Sequence, residues 1–142
     1  MRAMEISRTG LDVEWRRLEV IAQNLANANT VRGADGSAYQ PLQLVSGPKG
    51  EFASYLDGKP QADRLGGVEV YSVEPTNDAP HMVHEPGNPQ ADAQGMVSYP
   101  GVDQAAQMTL MVKTARAYQA NIVAMSTATE MYSKAMTLGT RA

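Results

Sequence analysis

All eight prolines of this 142-residue chain lie between Val31 and Pro100, together with nine of its twelve glycines. Proline has no N–H and clashes with the preceding turn, so no long helix can run through that stretch. The two flanks are free of proline, and each can be helical from end to end. In the C-terminal flank, Asp103 to Thr137, the residues Met108, Met111, Ala115, Tyr118, Ile122, Met125, Thr129, Tyr132 and Met136 step by three and four in one unbroken heptad seam. A second file, Ala117, Ala120, Ala124, Met131 and Ala135, lies beside it, turned by about 100°. Only Asp103, Lys113, Arg116, Glu130 and Lys134 are charged here. A helix apolar over so much of its circumference must be covered on more than one side, and this chain has few elements long enough to do so. The long helix is therefore expected to organise the rest of the chain, with other copies or other proteins completing its cover.

The N-terminal flank predicts an amphipathic helix from about Met4 to Ala28. Leu11, Trp15, Leu18, Ala22, Leu25 and Asn29 form a second seam, and Glu5 with Arg8, Asp12 with Arg16, and Glu14 with Arg17 are spaced for same-helix ion pairs. Gly10 is its weak point. The amides of Asn24, Asn27 and Asn29 fill its end, and the helix is expected to stop by Thr30.

Between the flanks, Asp35-Gly36 and Asp57-Gly58 are hairpin-turn dipeptides. Short strands are predicted at Tyr39 to Val45, Glu51 to Leu56, Val68 to Val73, His81 to Glu85 and Met96 to Tyr99. Pro41 makes the first an edge strand, and Ser46 to Gly67 reads as an extended hairpin or loop. Glu85-Pro86-Gly87-Asn88-Pro89 is a rigid turn, Asp103 is placed as N-cap of the long helix, and Gly139 is placed as its stop. The predicted organisation is an N-terminal helix within residues 1–30, a β-rich insert over 31–100, and a long C-terminal helix within 101–142. The fold class is mainly α with a β-rich insert, its two helices paired as an antiparallel coiled coil.

Composition closes several functional classes. Cysteine is absent, which removes disulfides, thiolate metal sites and cysteine nucleophiles. A net charge of -3 gives no electrostatic reason to expect nucleic acid or an acidic membrane as partner. No run approaches a membrane span, and the start, Met1-Arg2-Ala3-Met4-Glu5, lacks the apolar core of a cleaved signal peptide. His81 and His84 point to opposite faces of a strand, a poor basis for a metal site. No phosphate loop or nucleophile elbow is present, so no catalytic, cofactor-binding or metal-ligating residue is assigned. The nine methionines fit either a seam that meets several slightly different neighbours or an ordinary core with Met in place of Leu.

The amide-rich run Asn24-Leu25-Ala26-Asn27-Ala28-Asn29-Thr30 reads either as a frayed helix end or as a junction bonded to neighbouring subunits. Tyr118-Gln119-Ala120-Asn121 poses the same question in mid-helix, where an amide in an apolar interface fixes register. With Leu18, Ile21 and Ala22 before it, the first run resembles the N-terminal signature of the bacterial flagellar rod, hook and hook-associated proteins. The run Glu85-Pro86-Gly87-Asn88-Pro89-x-Ala91-Asp92-x-x-Gly95-x-Val97-x-x-Pro100-x-Val102-Asp103, followed by Tyr118-Gln119-Ala120-Asn121 and Leu138-Gly139, is similar to the proximal rod proteins of the flagellar basal body. Gly101 stands where that pattern has Asn, and His84 where it has an aromatic residue.

The resemblance implies a structural, non-catalytic subunit of the axial tube that transmits torque across the periplasm, exported through the flagellar type III apparatus without a cleaved signal peptide. It implies as partners other copies of the chain, adjoining rod proteins, the export-gate end of the basal body and a surrounding bushing ring, with neither nucleic acid nor membrane insertion. Expected packing residues are Leu11, Trp15, Leu18 and Leu25 within the helical pair, and Ala117, Ala120, Ala124, Met125, Met131 and Tyr132 between subunits. Asn27, Tyr118 and Asn121 complete the expected packing set. Two other readings of the residues remain beside this one: a soluble coiled-coil adaptor or secreted interaction protein, and a small hydrolase with a carboxylate site.

Overall fold

The computed structural model describes residues 2–31, 38–49 and 66–139. Helix α1 (Arg2–Ala26) is followed by strands β1 (Leu42–Pro48), β2 (Val68–Pro75), β3 (His81–His84) and β4 (Met96–Tyr99), and then by helix α2 (Gln104–Gly139). The chain is thus mainly α with a strand-rich insert, as the proline distribution requires. The expected strand Glu51 to Leu56 and the turns Asp35-Gly36 and Asp57-Gly58 lie outside the described residues.

The helices pair antiparallel. Met4 meets Thr129, with the Thr129 hydroxyl 3.3 Å from Met4 Sδ, Trp15 lies beside Tyr118 with ring centroids 6.2 Å apart, and Asn24 reaches Gln107 at 3.3 Å. Strands β1 and β2 form an antiparallel hairpin with a register shift at Val45/Ser46. The hairpin lies along α1: Arg17 Nη2 donates to Ser46 Oγ at 2.8 Å, and the Val68 N–H donates to Thr9 Oγ1 at 3.1 Å. Beyond the Pro48–Val68 pair the Lys49 N–H donates to the Gly67 carbonyl at 2.9 Å. Strands β3 and β4 form a second, separate antiparallel pair.

Helix α1, not α2, is the centre of the molecule. It supplies buried Ser7, Val13, Val20, Ile21 and Asn24, whereas α2 buries Thr114 alone. The cause is position, because α1 is packed by α2 on one side and by the hairpin on another. The expected seams are also displaced. On α2 the covered line is Gln107, Met111, Thr114, Tyr118, Asn121, Met125 and Ala128, so Met111, Tyr118 and Met125 stand as expected while Met108, Ile122 and Thr129 are exposed. On α1, Trp15 is 57% exposed and Ala22 and Asn29 are exposed, while Leu11, Leu18 and Leu25 are half-buried at the flank of the buried line. Arg16 pairs with Glu19 at 2.8 Å rather than with Asp12, and Glu14 pairs with Arg17 at 2.8 Å.

The insert ends in a closed loop. The Asp92 carboxylate accepts from the Gln94 and Met96 N–H groups at 2.9 and 2.8 Å, and Asn88 Oδ1 accepts from the Gln90 N–H at 3.0 Å. Gly95 takes φ +74°, a conformation glycine adopts without steric cost. Asn88 Nδ2 donates to Glu85 at 2.9 Å and the Tyr99 hydroxyl donates to the same carboxylate at 3.1 Å. That bond, with burial and the carboxylate charge behind it, raises the Tyr99 pKa. Val97, paired with Val83 across β3 and β4, is fully buried. Asp103 then caps α2, its Oδ1 accepting from the Ala106 N–H at 3.0 Å.

Candidate assembly surface

Asn24 ties the subunit together. It is 1% exposed, yet its carboxamide is saturated: Nδ2 donates to the Leu42 carbonyl at 2.7 Å and to Gln107 Oε1 at 3.3 Å, and Oδ1 accepts from the Leu42 N–H and the Tyr39 hydroxyl, both at 2.8 Å. One side chain thereby joins α1, the start of β1 and the start of α2. Burial raises the Tyr39 pKa above its ordinary value. Asn27 serves its own helix end, donating to the Gln23 carbonyl at 2.8 Å and accepting from the Thr30 hydroxyl at 3.3 Å. Within the subunit these two amides hold the end of α1 and fasten it to the strand that follows.

With α1 so fastened, α2 presents most of its surface outward. Val112 (53% exposed) and Val123 (64%) are exposed. Val123 is two residues, about 200° of helix, from the inward Asn121. Ala120 and Ala124 are exposed near that outer face, and Ala117 is half-buried. The inward line itself outruns α1: beyond Ala128, Tyr132 is 44% exposed and Met136 55%, with Met131 and Leu138 more exposed still. Of the 36 residues of α2, the last eleven, Thr129 to Gly139, are exposed without interruption, a length of ~16 Å. No helix among the described residues is long and apolar enough to cross a membrane.

A groove of about 530 Å³ opens between α1, β1 and α2, lined by Val20, Ile21, Leu42, Leu44, Leu110 and Ala117, with the Glu14–Arg17 pair and Lys113 beside them. Among the described residues no three His, Cys, Asp or Glu side chains converge as a metal site would require. What this surface offers is packing: an apolar helix face, small residues that let a second helix approach, and flexible methionines that fill what remains.

The chain is 38% identical to the flagellar basal-body rod protein FlgC of Salmonella typhimurium, over 98% of its own length and 97% of that protein's. It belongs to the FlgC family of flagellar basal-body rod proteins. FlgC of Escherichia coli O157:H7 is 37% identical over the same span, and FlgC of Bacillus subtilis 29% identical over 96% of each chain. The family model for flagella basal body rod proteins matches residues 4–32, and that for the C-terminal region of flagellar basal body rod FlgEFG proteins matches residues 93–138. These two spans contain nearly all of α1 and α2. At Gly101 a Cβ would lie 2.5 Å from the Ala79 carbonyl oxygen, so the backbone approaches closely there.

The packing set expected from sequence is divided by the fold. Leu11, Leu18, Leu25, Tyr118, Asn121 and Met125 lie half-buried along the helix pair, with Trp15 on its rim against Tyr118. Ala120, Ala124, Met131 and Tyr132 stand exposed on α2, Ala117 lines the groove, and Asn27 is at the end of α1. Sequence reasoning left out Ser7, Gly10, Gln107 and Thr114, the polar and small members of the inward lines. Their 3-4 spacing was legible, but a search for apolar periodicity passes over them.

Proposed function

We propose that this protein is a structural subunit of the flagellar basal-body rod, built into a helical axial tube that transmits torque across the periplasm by packing alone. The observation that carries the reading is α2: a 36-residue helix with a single buried residue and an apolar surface, in a chain that aligns with FlgC proteins from end to end. An exposed apolar surface of this extent marks a site that a neighbour covers. In this reading residues 1–30 and 101–142 form the inner, tube-forming part and residues 31–100 the outer part that meets the surroundings. Ala117, Ala120, Ala124, Met125, Met131 and Tyr132 pack against other copies and adjoining rod proteins. Contacts with the export-gate end of the basal body and with the bushing ring belong to the same proposal, as does export without a cleaved signal peptide. Because neighbours add head to tail, the assembly is open and its growth is set by its partners.

Ala124→Glu tests this. Ala124 is exposed in the subunit, so a carboxylate there is solvated and the helix content of the purified protein, read by circular dichroism, stays nearly unchanged. In the rod the same charge is buried without a partner, at a cost of several kcal/mol. A strain lacking its own copy of the gene and supplied with this variant should yield no completed rods by electron microscopy of basal bodies. Normal rods would remove the outer face of α2 from the assembly surface.

A further inference from the structure

Gly10 stands inside α1 directly against Asn121 of α2. A Cβ on Gly10 would lie 2.9 Å from Asn121 Nδ2 and 3.1 Å from its Cγ and Oδ1, so the carboxamide rests on bare helix backbone. Glycine weakens a helix interior relative to alanine, and this contact gives it a structural reason. Toward the other end of α1, Asn24 donates to Gln107 of α2 at 3.3 Å while also bonding Leu42 and Tyr39. Fourteen residues, two heptads, separate Gly10 from Asn24 and likewise Asn121 from Gln107. Both contacts therefore close together in the observed alignment.

The remaining layers discriminate weakly. Met111, Tyr118, Met125 and Tyr132 recur every seven residues, so sliding α2 by one heptad, ~10.5 Å, replaces one large group by another. The polar contacts do not survive such a slide. In one direction Asn121 arrives opposite Arg17 and Asn24 opposite Thr114. In the other, Asn121 arrives opposite Ala3 and Asn24 falls beyond the start of α2. Each slide separates Asn24 from Gln107 and sets the Asn121 carboxamide against a side chain instead of a glycine.

We propose that Gly10–Asn121 and Asn24–Gln107 form a two-point lock that fixes the register of α1 against α2, and with it the length of α2 left uncovered beyond Ala128. The lock is a property of the single subunit. Only its consequence, a helix end of set length offered to a neighbour, rests on the rod reading.

The chain has no cysteine, so engineered pairs can report the register of the full-length protein in dilute solution, apart from any assembly. Met4→Cys with Thr129→Cys reports the observed alignment, since those side chains touch; Met4→Cys with Ile122→Cys or with Met136→Cys reports a slide of one heptad. With the lock intact, the first pair should form its disulfide at least about tenfold faster than either other, as expected when a slide breaks the Asn24–Gln107 contact and presses the Asn121 carboxamide against a side chain. With Asn121→Leu and Gln107→Leu together, the ratio should fall to within about threefold. An unchanged ratio would overturn the lock and assign the register to the segment joining β4 to α2. Gly10→Ala, a mild change, should slow the 4/129 disulfide, and adding Asn121→Ala should restore it. An unaffected 4/129 disulfide in Gly10→Ala would also overturn the proposal.

Discussion

Replacing Asn24 by alanine removes the acceptor of the Leu42 N–H and the Tyr39 hydroxyl and the donor to the Leu42 carbonyl, three bonds of 2.7 to 2.8 Å. Stranding a buried polar group costs ~1–3 kcal/mol. Leu42 and Tyr39 are half-buried and water reaches them in part, so the lower end applies, ~1 kcal/mol for each bond. The 3.3 Å contact with Gln107 is long and is left out of the sum. Alanine returns roughly 0.6 kcal/mol as the better helix former, which leaves a net loss of about 2–3 kcal/mol. Against a stability of ~5–15 kcal/mol for an ordinary domain, that is a large fraction. Urea unfolding of the purified chain followed at 222 nm measures it. Tyr39→Phe should cost about 1 kcal/mol alone and much less in the Asn24→Ala background, because the bond is already gone. A loss below about 1 kcal/mol for Asn24→Ala, with Tyr39→Phe additive to it, would refute the claim that this amide fastens α1 to β1.

Three further outcomes follow from the same geometry. Asp103→Ala removes the cap on the Ala106 N–H and should lower stability by ~0.5–2 kcal/mol in the same titration. Gly95→Ala forces a side chain onto φ +74° with its Cβ 3.1 Å from Pro86, and should cost at least ~1–2 kcal/mol, read as a lower thermal midpoint. Tyr39 has a folded pKa raised above 10.0 by burial, so the native state holds that proton longer than the unfolded chain does. Its contribution is complete below pH 10.0 and is lost as pH rises from there through the folded value; Tyr99, held by Glu85, acts in the same direction. Stability measured between pH 9 and 12 should therefore fall, and fall less steeply in Tyr39→Phe.

The fold was legible where local chemistry dictates it. Proline confines helices to the two flanks, Asp103 announces the start of α2 as an N-cap, and the alternation in Val68 to Val73 and Met96 to Tyr99 finds two of the strands. The helical faces were legible only in part, for a physical reason. The line of α2 that meets α1 carries Gln107, Thr114 and Asn121, and the line of α1 carries Ser7, Gly10 and Asn24, none of which a hydrophobic seam includes. Meanwhile Met108, Ile122 and Val123 face outward, so the strongest apolar signal marks the surface left to partners as much as the interior. Asn24 lay within the amide run noticed from sequence, but its bonds to Tyr39 and Leu42 depend on where the chain returns after Val31.

The central claim is that neighbouring subunits cover the end of α2, and amide hydrogen exchange at Met131 to Gly139 tests it most directly. Exchange should be fast in the isolated protein, where this stretch is exposed, and slower by on the order of a hundredfold in purified basal bodies that contain it. Equal exchange in the two states would contradict the account, leaving the apolar end of α2 uncovered in the assembled rod.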